Sequence, residues 1–150
     1  MKIPDKTSIT LRKASEISMG AKKITHGWQF GIFSDDTELS LTLFKSTEPE
    51  NGTVIHIPRT YKHGRIFSFV LEFTDEENAA GLDGVCYAVG GKRCADIYAK
   101  EYCYAGNGQD SDGFGRNRDE LYSILRCVNT LLTLLMLPEY WIIRSYTSFM

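Results

Sequence analysis

Apolar residues occupy every second position in several short stretches of the first two-thirds of the chain. This alternation is typical of half-buried β-strands, because successive strand residues point to opposite faces. Trp28, Phe30 and Ile32, for example, share one face. Near the N-terminus the residues fit either a strand at Ser8–Arg12 or a short helix around Lys13–Met19. The clearest predicted strands are Gly27–Phe33, Leu39–Phe44, Thr53–Ile57 and Ile66–Phe73.

Turn residues between these stretches indicate how they connect. Asp35-Asp36 separates the first two strands and predicts a hairpin between them. Asn51-Gly52 is a strong turn dipeptide, because both residues tolerate a positive φ. Val85–Val89 and Cys94–Tyr104 predict a second hairpin around a Gly-Gly turn. The acidic and small residues of Thr74–Gly84 predict a loop.

A helical period begins near residue 117. Apolar residues at positions 121, 124, 125, 128, 131, 132 and 135 fall on one helical face. Asn117 and Glu120 resemble a capping box, and Pro138 ends the pattern. The sequence therefore predicts one long helix over Asn117–Leu137, and the residues of Tyr140–Phe149 are compatible with a final strand.

The order of these elements predicts an α+β fold, because strands come first, one long helix comes late and no strand–helix–strand alternation occurs. We expect a curved, mainly antiparallel sheet packed against the C-terminal helix. The chain has 150 residues, no linker and no internal repeat, so residues 1–150 are expected to form a single domain.

Charge narrows the classes of partner. The chain has seventeen Lys and Arg residues and nineteen Asp and Glu residues, so its net charge is −2. Proteins that bind duplex nucleic acid are usually basic, so this charge argues against that class. Between positions 31 and 90, ten acidic and four basic residues leave a balance of −6. An acidic face of this kind mainly speeds encounter with a basic protein, for instance a toxin nuclease domain.

No targeting or membrane segment is evident. The N-terminus has no apolar run followed by a cleavage site, and the most apolar stretch, Leu131–Leu137, is far shorter than the ~20 residues of a membrane span. The cysteines at 86, 94, 103 and 127 form no CxxC pair. We expect a cytoplasmic protein with reduced, mostly buried thiols and no cofactor, with a Cys86–Cys94 disulfide as the alternative.

Two histidines support an enzymatic alternative. His56 and His63 have the chemistry for general acid–base cleavage of RNA, and Arg59, Lys62 and Arg65 would supply cations for the phosphate. The same segment is more typical of an exposed turn between strands, and its acidic surroundings disfavour a phosphate substrate.

The Gly-rich segment Gly106–Gly115 carries two acids that suggest calcium. Aligned on Gly113, Asp110 and Asp112 occupy the third and fifth ligand positions of an EF-hand loop, but Gly108 stands where the first ligand belongs. A calcium site, a flexible acidic loop and a partner-binding loop all stay open.

Tyrosines mark a second candidate surface. Tyr98, Tyr102 and Tyr104 alternate along the predicted strand Cys94–Tyr104 and share a face with charged residues. Tyr is enriched in protein interfaces, because its ring is apolar while its hydroxyl can stay hydrated. The same face could stack single-stranded bases or be the outer face of a sheet.

Three features occur in a suggestive order. A strand leads into Glu48-Pro49-Glu50, the aromatic strand Ile66–Phe73 ends near Asp75-Glu76, and the loop Asp110–Gly113 precedes an amphipathic helix with an acidic start. This pattern resembles small immunity proteins of contact-dependent growth-inhibition systems. The resemblance implies a cytoplasmic protein that binds and blocks one toxin domain, and it carries over no residue roles.

The leading hypothesis is a non-enzymatic inhibitor, most concretely an immunity protein that neutralises a toxin domain by occlusion. An RNA-cleaving enzyme and a single-stranded nucleic-acid-binding module are the alternatives. No catalytic or metal-binding residue is assigned. The predicted partner-binding residues are the acids Asp75, Glu76, Glu77, Asp110 and Asp112 and the anchors Tyr98, Tyr102 and Tyr104.

Overall fold

The computed structural model describes residues 3–104 and 121–127, which form ten strands in two antiparallel sheets. The strands are β1 (Ile9–Lys13), β2 (Gly20–Ile24), β3 (Gly27–Phe33), β4 (Leu39–Lys45), β5 (Glu48–Ile57), β6 (Lys62–His63), β7 (Ile66–Phe73), β8 (Cys86–Val89), β9 (Tyr102–Tyr104) and β10 (Leu121–Ile124). The described helical elements are α1 (Glu76–Ala80) and 3₁₀ turns at Lys6–Ser8 and Arg59–Tyr61.

The two sheets pack against each other through aromatic side chains. The first sheet has the strand order β1-β7-β3-β2, with β6 paired to β7, and the second has the order β5-β4-β8-β10-β9. Phe30 stacks on Phe69 within the first sheet, with ring centroids 5.1 Å apart. It also meets Tyr87 of the second sheet edge to face, at 5.5 Å. The main core therefore lies between the sheets.

The alternation in the sequence accounts for this core. Strands β3, β4 and β7 confirm the predicted runs, and β1 confirms the strand alternative near the N-terminus. Each large apolar side chain that is fully buried contributes roughly 1.5–3 kcal/mol relative to an exposed one. The apolar stripes are buried as expected, namely Trp28, Phe30, Ile32, Leu39, Leu41, Leu43, Phe67, Phe69, Leu71 and Phe73.

The prediction of an α+β fold with a long C-terminal helix is wrong. Leu121–Ile124 form strand β10, which pairs with β8 and β9, and the longest helix within residues 3–104 and 121–127 is the five-residue α1. Ile124 belongs to a small apolar cluster with Phe44, whereas Leu125 belongs to the main core. Leu121, Ile124 and Leu125 are spaced i, i+3 and i+4, so this short stretch, which has buried residues on both faces of the second sheet, also matches a helical period.

Residues 117–120 and 128–137 of the predicted helix, and the final strand proposed at Tyr140–Phe149, lie outside the described residues. No helix in the described part of the chain is both long and apolar enough to cross a membrane.

The predicted hairpin between the first two strands is also wrong. β3 pairs with β2 and β7, whereas β4 pairs with β5 and β8 in the other sheet. The segment around Asp35-Asp36 therefore crosses between sheets, and the side chain of Asp35 is fixed by an ion pair with Arg65 at 2.6 Å. The apolar stripes of β3 and β4 explain this crossing. When the two strands lie in opposite sheets, both stripes are buried in the one core between the sheets.

Two further turn predictions need correction. Asn51-Gly52 lies inside β5, where the register with β4 shifts at Phe44/Lys45, and not in a turn. Cys94–Tyr104 is not one strand, since it contributes a single bridge, Val89–Cys94, and the short β9. The predicted loop Thr74–Gly84 contains α1.

Gly31 allows the β1–β2 connection to cross the outer face of the first sheet. Gln29 and Ser68 donate side-chain hydrogen bonds to the carbonyl of Glu16, at 3.2 and 3.4 Å, which hold the connection down. A Cβ at position 31 would overlap the carbonyl of Ser18. Glycine is therefore required here for space.

Gly31→Ala is expected to lower the free energy of unfolding by about 2 kcal/mol, because the added methyl group must displace backbone. Gly91→Ala is the matched control, since a Cβ there meets no heavy atom within 4 Å. The free energy of unfolding of the control variant should stay within about 0.5 kcal/mol of the wild-type value. Urea unfolding measures both, and equal stability of the two variants would contradict the close crossing.

Candidate protein-binding surface

Two exposed large apolar side chains line one cleft, and two more belong to residues that hydrogen-bond to a residue lining it. Ile97 is 68% exposed, Tyr98 49%, and Phe33 and Tyr102 37% each. Phe33 and Ile97 line the cleft, while Tyr98 and Tyr102 hydrogen-bond to Asp96, which also lines it. Single exposed apolar residues are common, but a group around a cleft marks an interaction site. Phe33, Ile97, Tyr98 and Tyr102 are called the contact surface below.

The cleft lies between the end of β3 and the chain that follows β8, and it has a volume of about 470 Å³. Ile32, Val89 and Ile97 give it apolar walls, and Asp36 and Lys92 add opposite charges. Pockets of roughly 300–1,000 Å³ with apolar walls and a few polar groups are the usual form of ligand sites. The cleft is therefore large enough for a guest side chain.

Asp96 holds the contact surface in position. Its side chain is buried, and its two carboxylate oxygens accept hydrogen bonds from the hydroxyl of Tyr87 at 2.6 Å and the backbone N–H of Tyr98 at 2.9 Å. Its carbonyl accepts a hydrogen bond from the hydroxyl of Tyr102 at 2.6 Å. Since Tyr87 belongs to the main core, this carboxylate fixes the exposed loop to the core.

The environment of Asp96 changes its titration. Burial raises the pKa of Asp96 above its ordinary value of 3.8, although the hydrogen bonds from Tyr87 and Tyr98 and the charge of Lys100 act in the opposite direction. Burial and the nearby Asp96 carboxylate raise the pKa of Tyr87, so this hydroxyl keeps its proton and stays a donor.

The predicted acidic residues of the 75–77 segment lie around α1, where two of them serve the fold. Asp75 caps the helix by accepting a hydrogen bond from the N–H of Asn78 at 2.8 Å. Glu76 pairs with Lys23 at 2.5 Å and accepts the N–H of His26 at 2.7 Å. The hydrogen bond from Lys23 is the main cause that lowers the pKa of Glu76. Glu77 is exposed and makes no ion pair with any described residue.

The structure does not bring these acids together with the tyrosines. The carbonyl of Tyr98 lies beside Gly20 at the start of β2, whereas Glu76 contacts Lys23 and His26 at the end of that strand. Three residues of strand separate the two places by about 10 Å. The predicted partner-binding set is therefore split between two ends of the first sheet.

The tyrosines do not share one strand face either. Tyr98 lies in a turn, because its N–H binds the Asp96 side chain and not a neighbouring strand. Tyr102 lies in β9, and Tyr104 ends that strand opposite Leu121. Asp110 and Asp112, and with them the calcium prediction for Gly106–Gly115, lie outside the described residues.

The residues of the enzymatic alternative are dispersed. His56 lies in β5 of the second sheet and contacts Glu38 at 2.8 Å, while His63 lies in β6 of the first sheet. Lys62 donates to the carbonyl of Asp36 at 2.7 Å, and Arg65 pairs with Asp35. Two of the expected phosphate-binding cations are thus held by the fold, so the described geometry adds no support for cleavage at this segment.

All four cysteines are free in the structure. Cys86 is buried, and burial together with the nearby Cys103 raises its pKa to about 12. Cys94 is exposed and lines the cleft, which corrects the expectation of mostly buried thiols. The described residues contain no group of three His, Cys, Asp or Glu side chains that could hold a metal ion.

Comparisons with protein-family models, curated proteins and solved structures found no match for this chain. The geometry of the described residues is therefore the basis for assigning a function.

Sequence reasoning missed the two residues that line the cleft with exposed apolar side chains, Phe33 and Ile97. Phe33 directly follows Ile32, so strand alternation puts it on the face opposite Trp28, Phe30 and Ile32, where it is 37% exposed. Ile97 lies inside the predicted strand Cys94–Tyr104, but the structure has it in a turn. The Asp-x-Tyr spacing of Asp96 and Tyr98 was the available signal, since a short acceptor side chain two residues before an N–H favours a turn.

Asp96→Asn is expected to change how stability depends on pH. The folded state keeps the Asp96 proton to a higher pH than the unfolded chain, so stability from this group falls as pH rises from its ordinary pKa of 3.8 through the raised value. Glu76 has a lowered pKa and acts with the opposite sign, because its stabilisation is present above 4.5 and is lost as pH falls.

Urea unfolding between about pH 3 and pH 7 measures this linkage. Asp96→Asn should make the slope of stability against pH more positive than in the wild type, and Glu76→Gln should make it more negative. If both variants changed the slope of stability against pH in the same direction, the opposite pKa shifts assigned to Asp96 and Glu76 would be contradicted.

Proposed function

We propose that the protein is a non-enzymatic inhibitor that binds a protein partner through the contact surface. The observation that carries this proposal is a cleft lined by the exposed side chains of Phe33 and Ile97, with exposed Tyr98 and Tyr102 hydrogen-bonded to the cleft residue Asp96. Three of the four are aromatic, and aromatic residues are enriched at the energetic centre of protein interfaces.

The hydrogen bonds of Asp96 support binding to a protein. Asp96 holds the backbone N–H of Tyr98 and the side-chain hydroxyl of Tyr102 before any partner arrives. A surface that is already ordered loses less conformational entropy when it binds. The arrangement therefore suits a rigid interface with aromatic anchors.

In its most concrete form, the protein is a cytoplasmic immunity protein that occludes a toxin domain. The acidic balance of residues 31–90 supports this form. The resemblance in the order of sequence features adds less, because Leu121–Ile124, part of the amphipathic helix it relied on, form strand β10. Asp75 and Glu76 serve the fold, so Glu77 is the residue of this group whose carboxylate is free to steer a basic partner. Such steering acts mainly on the association rate.

Co-expression with the product of the adjacent gene, followed by size-exclusion chromatography, tests the proposal. The two proteins should elute together, and Tyr98→Ala or Ile97→Asp should disrupt the complex. Removing a central anchor costs about 2 kcal/mol or more, roughly thirtyfold in Kd.

Val54→Asp is the matched control, because Val54 is 51% exposed but lies in β5, away from the cleft. The control should leave the complex intact. Separate elution of the wild-type proteins, or complexes that survive both contact-surface substitutions, would contradict the proposal.

A further inference from the structure

We infer that the cleft receives a lysine or arginine side chain of the partner protein, and that Asp36 recognises its charge. The inference rests on the proposed function, because the partner that covers the contact surface presents this side chain. It adds the chemistry of the guest, which the exposed aromatic residues alone do not define.

The shape of the cleft fits a long basic side chain. Lysine and arginine combine an alkyl stem, which packs on apolar surface, with a charged head that needs an acceptor. Ile32, Val89 and Ile97 provide apolar walls, and Asp36 provides a carboxylate in the same cleft. A basic guest would pair with this carboxylate when the partner covers it, and covering a carboxylate that lacks such a pair is costly.

Two carboxylates line the cleft, but only one is available to a guest. Asp96 is only 3% exposed, and both of its oxygens already accept hydrogen bonds, from Tyr87 and from Tyr98. Asp36 is held through its backbone instead, since its N–H donates to Ser34 Oγ at 3.1 Å and its carbonyl accepts from Lys62. The carboxylate of Asp36 makes no ion pair with any described residue.

The Asp36 side chain points toward the turn that forms the other wall. Its Oδ2 would lie 3.6 Å from a Cβ placed on Gly90, which lines the cleft. The neighbouring Asp35 is not available, because it pairs with Arg65 on the surface. Asp36 is therefore the acceptor that a cation in the cleft would reach.

Lys92 gives the inference a second test. It lines the same cleft and makes no ion pair with any described residue. A cationic guest is repelled by Lys92, so Lys92→Met should strengthen its binding. An anionic guest would instead lose its counter-charge in this variant and bind more weakly. The sign of this effect separates the two guests.

Cys94 supplies a reporter of occupancy. It lines the cleft and is exposed, whereas Cys86 is buried with its pKa raised to about 12, and Cys103 and Cys127 are partly buried. Iodoacetamide should therefore alkylate Cys94 faster than the other three described cysteines. A guest in the cleft slows that reaction, and peptide mass spectrometry assigns the modified residue.

The experiment measures protection of Cys94 by N-acetyl-L-arginine methylamide, with the citrulline analogue as its neutral isostere. We expect the arginine probe to protect Cys94 at millimolar concentration and the citrulline probe to protect it much less. Asp36→Asn should weaken protection by the arginine probe about fivefold or more, since a charge-assisted hydrogen bond is lost. Lys92→Met should strengthen it.

Glu50→Gln is the matched control, because it removes one exposed acid in β5 and should leave protection unchanged. The inference is overturned if the arginine probe gives no protection, if citrulline protects equally, or if Asp36→Asn has no effect. It is also overturned if Lys92→Met weakens protection.

The complex with the adjacent gene product separates this inference from the proposed function. If the contact-surface variants lose the complex while Asp36→Asn keeps full affinity, the cleft takes no basic side chain but the proposed function stands. If the contact-surface variants keep the complex, the proposed function fails, and protection by the arginine probe would then report binding of the free cation alone.

Discussion

The buried carboxylate of Asp96 is the interaction on which the candidate surface depends. An isolated carboxylate in the interior costs several kcal/mol unless hydrogen bonds satisfy it. Asp96 meets this condition through Tyr87 and the N–H of Tyr98, while its own N–H donates to Ser123 at 3.4 Å. Each of these partners belongs to a different part of the second sheet or its adjoining loop. The chain between β8 and β9 is thereby held in one conformation without being part of a strand.

The position of β10 explains why these partners lie together. β10 pairs with β8 through Ser123 and Tyr87, and with β9 through Ser123 and Tyr102. Ser123 also donates its hydroxyl to the carbonyl of Tyr87. A strand from late in the sequence therefore places two distant tyrosines around Asp96. This long-range pairing is the part of the fold that local pattern reveals least, because no nearby turn fixes its register.

The sequence allowed prediction of the strands with one buried face, because an alternating stripe is a local signal. Gly27–Phe33 and Ile66–Phe73 were found with their correct bounds for this reason. It did not allow prediction of sheet membership or of β10. Leu121, Ile124 and Leu125 match a helical period, yet Ile124 and Leu125 face two different clusters across the second sheet. Tyr98 and Tyr102 are exposed, but Tyr98 lies in a turn and not on the strand face that the alternation predicts for the tyrosines.

Acidic residues show why charge in a sequence does not map directly onto a binding surface. Asp75, Glu76 and Glu77 form one run in the chain, but the first caps α1 and the second joins α1 to the β2–β3 turn. Donors of the fold partly balance the charges of Asp75 and Glu76, so the run presents less negative potential than its three acids suggest. Asp36 follows Asp35, whose carboxylate pairs with Arg65. The carboxylate of Asp36 lines the cleft instead. Asp36 is the acid best placed to contact a partner, because the backbone holds it between the two sheets. Composition alone does not distinguish Asp36 from the acids near it in the chain.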